Sequence, residues 1–180
     1  MMRESRIPHS PFIKMKEDRP MDQLETLIDL LTCGELEADE VRQRAANVRN
    51  AADDPDLDWL DEPSEEELMQ VALQSQLSDF FAIGDKVDEV HELIADIFEP
   101  PFPEYPHPPG TPDFLPDDYF RWLDDVLAKR GPGYELLLWG NQYDDNLYAI
   151  VVRREDTGRI LELAAGLSLV VERSTSRSMT

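Results

Sequence analysis

Apolar positions change their spacing along the chain, and those changes divide it into elements. Leu24, Leu27, Ile28 and Leu31 recur at the interval of one helical face, with Asp22 and Glu25 in capping-box positions and Gly34 as a stop. Residues 35–51 repeat the helical interval with small side chains, Ala38, Val41, Ala45 and Val48, which suits close packing of two helices. Ser64 and Glu67 form a second capping box, and Leu68, Val71, Ala72 and Leu73 open the buried side of a third helix. Residues 80–83 read as a short buried strand, with continuation of the third helix as the alternative. Asp85 is placed to cap a fourth helix that carries Val87, Val90, Ile94 and Ile97 on one face, widened by Leu93 and Phe98.

Proline then interrupts every periodic pattern. Residues 100–116 hold eight of the chain's fourteen prolines, and proline removes a backbone donor and fixes φ, which excludes both helix and central strand. The segment is expected to cross the surface as a strap anchored by Phe102, Tyr105 and Phe114. A ligand for a proline-recognising groove is the alternative. Pro116, Asp117 and Asp118 suit a helix start, Phe120, Leu123, Val126 and Leu127 give that helix an apolar face, and Gly131 ends it. Beyond it the composition turns to β-branched and aromatic residues. Residues 134–140 and 147–153 read as strands joined by a polar hairpin turn, followed by a helix over 156–165 and a last strand over 167–173.

This order predicts an α+β fold: a helical N-terminal half packed on a small, mostly antiparallel sheet, with a C-terminal β-β-α-β unit. Residues 1–20, aperiodic and mildly basic, are expected to form a mobile arm, with Met21 as an alternative start. Residues 21–180 are expected to form one domain. It comprises a helical part (21–99), the proline-rich strap (100–116), a helix plus the β-β-α-β unit (117–173) and a tail (174–180).

Charge sharpens the picture. The chain carries 39 acidic against 17 basic residues, net -22, yet residues 21–120 alone carry -23, with 27 acids and 4 bases. A salt-adapted surface would spread its carboxylates, and a field of this sign repels nucleic acid, for which no basic stripe compensates. No apolar run approaches the roughly 20 residues of a membrane span, and no signal-peptide stretch is present, so a cytoplasmic protein without membrane contact is expected. Cys33, the only cysteine, is expected to be a buried structural thiol.

Candidate chemistry is sparse. Asp54, Asp56, Asp58 and Glu65 fall at the first, third, fifth and twelfth positions of a calcium loop, but Trp59 stands where that loop requires glycine. An acidic linker feeding a helix N-terminus is the simpler reading, with these four carboxylates as metal candidates beside it. Asn141, Gln142, Asp144, Asp145 and Asn146 are oxygen-rich, as hairpin turns are. His9, His91 and His107 are too scattered for zinc, and His91, beside Glu92 on the fourth helix, is expected at the surface. Gly131 and Gly133 precede a strand and form no phosphate loop. No cofactor is implied. Trp59, flanked by Leu57 and Leu60, is either a core anchor or a partner hot spot, whereas Trp139 is expected in the core.

The run YELLLWGNQYDDNLYAIVVRREDTGRILELAAGLSL, preceded by FFAIGDKVDEVHELI, resembles an uncharacterised bacterial domain family of acidic cytosolic proteins over residues 78–173. The resemblance implies a helix, a hairpin with an Asp-bearing turn and a helix leading into a last strand, and no activity. In size and charge the chain also resembles small acidic immunity proteins that neutralise toxins. The expected function is therefore a non-enzymatic interaction module for a basic protein partner, of immunity, inhibitor or nucleic-acid-mimic type. Asp54, Asp56, Asp58, Trp59, Asp61, Glu62, Glu65 and Glu66 are its candidate contact residues. A carboxylate-based divalent-metal enzyme or calcium binder, and acidity that serves only solubility, are the alternatives.

Overall fold

The computed structural model describes residues 21–106, 116–140 and 143–176. The arm, Phe114, His9, His107, Asn141 and Gln142 lie outside these residues. The elements are α1 (Gln23–Leu31), α2 (Ala38–Arg49), α3 (Glu65–Gln76), β1 (Phe81–Gly84), α4 (Val87–Ile97), α5 (Pro116–Ala128), β2 (Tyr134–Trp139), β3 (Leu147–Arg153), α6 (Thr157–Gly166) and β4 (Val171–Arg173). The four strands form one antiparallel sheet in the order β1-β3-β2-β4, so the fold is α+β.

Both faces of the sheet are covered. Leu137, Trp139, Tyr148, Ile150 and Val152 share one core with α1, α2, α3 and α6, whereas Leu136, Leu138, Ala149 and Val151 share another with α4 and α5. Two buried faces explain why residues 136–139 of β2 and 147–152 of β3 read as unbroken apolar runs, since alternation with polar residues belongs to strands that face water on one side. The helical half is thus divided between two layers. Its acidic residues lie on both sides of the molecule.

Local chemistry sets the helix ends. In α1, Asp22 accepts from the amides of Leu24 and Glu25 at 3.0 Å each, and Glu25 accepts from Asp22 N at 3.2 Å. Arg49, at the end of α2, pairs with Asp22 and reaches the fully buried Glu25 at 3.9 Å, tying the two helices together. The Ser64–Glu67 box of α3 forms in the same way. The α1 C-terminus turns through Cys33 at φ 54° and Gly34 at φ 72°, with Gly34 N donating to Asp29 O at 2.9 Å. The Cys33 thiol, expected to be buried, is half-buried; it lies against the carbonyl of Val151, 3.8 Å away, and burial raises its pKa.

Several expectations change. The last strand is Val171–Arg173, not residues 167–173, because α6 ends in a reverse turn through Ser168 at φ 57°, closed by Leu169 N donating to Ala164 O at 2.9 Å. Asp85 does not cap α4: β1 runs through Gly84, and Lys86 holds the cap position without a side-chain bond. Ile97 and Leu93 are exposed rather than part of the buried face of α4. His91 is buried, only 4 % exposed, because the strap folds over it. Its Nε2 lies 3.0 Å from Pro103 O and its Nδ1 3.1 Å from Tyr119 Oη, among the rings of Phe102, Tyr105 and Trp122. A carbonyl can only accept, so the neutral ring donates from Nε2 and Tyr119 donates to Nδ1. Phe102 and Tyr105 do anchor the strap, and Arg130 seals it, stacking on Phe102 at 4.6 Å and donating to Pro101 O.

Candidate functional site

The linker between α2 and α3 passes through two turns of 3-10 helix, Ala51–Asp53 and Pro55–Leu57. With about three residues per turn, this geometry aligns positions three apart. Leu57 is buried and Leu60 packs against the core beneath the linker. Trp59 falls off that line and is 57 % exposed. The leucines are the anchors, and the core-anchor reading of Trp59 is overturned. Its ring meets the exposed ring of Tyr143 edge to face, centroids 5.2 Å apart.

The four metal candidates of the linker have separate local places in the fold. Asp54 spends its carboxylate as a cap, accepting from Asp56 N at 3.0 Å and starting the second 3-10 turn. Glu65 lies in the first turn of α3 beyond the bend at Glu62 and Pro63. Asp54, Asp56, Asp58 and Glu65 are not brought together, and among the described residues no group of three or more His, Cys, Asp or Glu is arranged to hold a metal ion. Asp144 likewise serves its turn, accepting from Asn146 N at 2.8 Å and from Tyr148 Oη at 2.9 Å.

The linker carboxylates are unpaired. The four basic residues of the helical half are committed elsewhere: Arg42 to Asp39, Arg44 to Glu40, Arg49 to Asp22 and Glu25, and Lys86 to Glu89. Among the described residues Asp53, Asp54, Asp56, Asp58, Asp61, Glu62, Glu65 and Glu66 form no ion pair. Glu65 and Glu66 have a local reason to be acidic, at the positive end of the α3 dipole. Asp53 and Asp56 lie in the first turns of the two short 3-10 helices, whereas Asp58 stands at the C-terminal end of the second, and Asp61 and Glu62 belong to no helix. Glu62 also holds φ at 45°, a left-handed conformation that costs a residue with a Cβ about 1–2 kcal/mol.

Beside this loop runs a groove of about 230 Å³, walled by Glu66, Gln70 and Gln74 of α3 and by Gly140, Tyr143 and Val170 at the end of the sheet. Gln70 builds it. Its carboxamide closes the open end of the β2–β4 ladder: Nε2 donates to Gly140 O at 3.2 Å and Val170 O at 3.1 Å, and Oε1 accepts from Val170 N at 2.9 Å. The Gln70 carbonyl accepts from the Trp139 indole at 3.3 Å. Gly140 is required at this close approach, since a Cβ there would lie 2.6 Å from Val170 Cβ. Sequence reasoning missed Gln70 and Val170, because the role of each depends on which strand ends lie over α3.

No protein-family model, curated protein or solved structure matches the chain. Among the described residues no helix is long and apolar enough to cross a membrane.

Proposed function

We propose that this chain is a non-enzymatic interaction module whose acidic α2–α3 linker recruits a basic protein. One observation supports the reading: the linker carboxylates have no cationic partner among the described residues, while an exposed tryptophan stands among them. Unneutralised charge of one sign accelerates encounter with an oppositely charged partner, and an aromatic side chain at the centre of a polar surface is the residue type that most often anchors an interface. Toxin neutralisation or mimicry of a nucleic-acid surface are the specific forms that such a module takes. Acids elsewhere on the surface add to steering from a distance, but the linker joins charge to an apolar anchor.

Affinity capture at low ionic strength tests this, comparing the wild-type chain with a variant carrying Asp56→Asn, Asp58→Asn, Asp61→Asn and Glu62→Gln. Recovery of a basic protein by the wild type, released by salt and absent with the variant, is the expected result. Equal recovery by both chains removes the linker from the account.

A further inference from the structure

We infer that the groove beside the linker accepts an arginine side chain of the partner, its guanidinium against Trp59 and the rim carboxylates and its methylenes over Val71 and Val170. This rests on the preceding reading and adds the chemistry of the contact. Among the described residues the exposed large apolar side chains are Trp59, Leu93, Ile97, Tyr143 and Val170. Three of these five converge here: Tyr143 and Val170 line the groove, and Trp59 meets Tyr143 edge to face. Val170 is 65 % exposed even though β4 begins at the next residue, so an apolar wall is left open beside Glu66.

Charge complementarity selects the occupant. An apolar segment would leave the exposed linker carboxylates and Glu66 without counter-charge, and an acidic one would be repelled. A cation with a long aliphatic stem satisfies both the wall and the rim. Arginine fits better than lysine. Its planar guanidinium is weakly hydrated, stacks on aromatic faces and takes a carboxylate through two parallel bonds, whereas the lysine ammonium is a compact, strongly hydrated point charge. Gln70 braces the groove wall: its carboxamide bonds both Gly140 and Val170, and its backbone carbonyl accepts from the Trp139 indole.

Three blocked peptides of one sequence, carrying arginine, lysine or citrulline at the same alternate positions, test the inference by NMR at low ionic strength. The three indole N–H signals serve as reporters, because Trp59 lies beside the groove, Trp139 is bonded to its wall, and Trp122 lies on the opposite face of the sheet. The arginine peptide is expected to move the Trp59 and Trp139 signals and leave Trp122 in place. The lysine peptide should bind at least about threefold more weakly and citrulline not measurably, with Trp59→Ala costing the arginine peptide about two- to fivefold in affinity. The exposed position of Trp59 allows that variant to fold, which its unchanged amide spectrum would verify. Equal affinity for arginine and lysine peptides, with Trp59 unmoved, would overturn the groove and leave the acidic-module reading standing. No binding by any cationic peptide would likewise overturn the groove, and the capture comparison would then decide the wider reading by itself.

Discussion

Replacing Gln70 with alanine removes three hydrogen bonds that join α3 to the ends of β2 and β4, at 2.9, 3.1 and 3.2 Å. Each such bond contributes roughly 0.5–1.5 kcal/mol net. Because the site is partly open and water can replace some of them, the low half of that range applies, and the total is about 2 kcal/mol. For a chain of this size that corresponds to a fall in Tm of about 4–8 °C. Gln70→Glu separates hydrogen bonding from packing. At neutral pH its carboxylate still accepts from Val170 N but faces the carbonyl oxygens of Gly140 and Val170 with no donor, so it should be less stable than Gln70→Ala. Those carbonyls raise the pKa of the introduced carboxyl in the folded state. The penalty is therefore present above that value and relieved as the pH falls through it, when the protonated group can donate. Urea unfolding followed by fluorescence, at neutral and mildly acidic pH and referenced to the wild type at each, measures both effects. The reasoning fails if Gln70→Ala lies within about 0.5 kcal/mol of the wild type and Gln70→Glu shows no relative recovery in acid.

Further outcomes follow from single contacts. Gly140→Ala should destabilise by about 1–3 kcal/mol, and since the clash is with Val170 Cβ at 2.6 Å, Val170→Gly should rescue it where Val170→Ala does not, as read by thermal unfolding. Burial lowers the His91 pKa in the folded state, so the unfolded chain takes up the proton first as the pH falls. The stability that His91 lends is complete above about pH 6.5 and declines below it, and the difference in unfolding free energy between wild type and His91→Asn should shrink with acidification. Burial likewise raises the Cys33 pKa, so the thiol should be alkylated more slowly than free cysteine at pH near 8, with the suppression lost in denaturant. Glu62→Gly should raise stability by up to about 1 kcal/mol by relieving the left-handed φ, measured by chemical denaturation.

What could be read from the residues alone was whatever depends on neighbours in sequence. Asp22 with Glu25 and Ser64 with Glu67 announce helix starts because a capping box is complete within four residues, and both form as expected. The α+β order and the hairpin were legible for the same reason. His91 was misplaced at the surface because its burial comes from Pro103, Tyr105 and Tyr119, and nothing beside it in the chain signals that the strap returns over α4. Leu169 and Val170 are apolar and so read as part of the last strand, yet Leu169 packs into the core and Val170 lies in the open. The acidic candidates were visible as a run. Their lack of cationic partners was not, since it depends on where Arg42, Arg44 and Arg49 point. Trp59 turns outward because Leu57, the last residue of the 3-10 turn, and Leu60, whose N–H donates to Leu57 O at 3.0 Å, share the inward side.

Hydrogen exchange of the chain, free and bound to the basic protein it captures, tests the central claim most directly. The account predicts slowed exchange across residues 53–67 and at 140 and 168–170, with α4 and α5 unchanged. Protection confined to α4 and α5, or a complex whose affinity ignores neutralisation of Asp56, Asp58, Asp61 and Glu62, would contradict it.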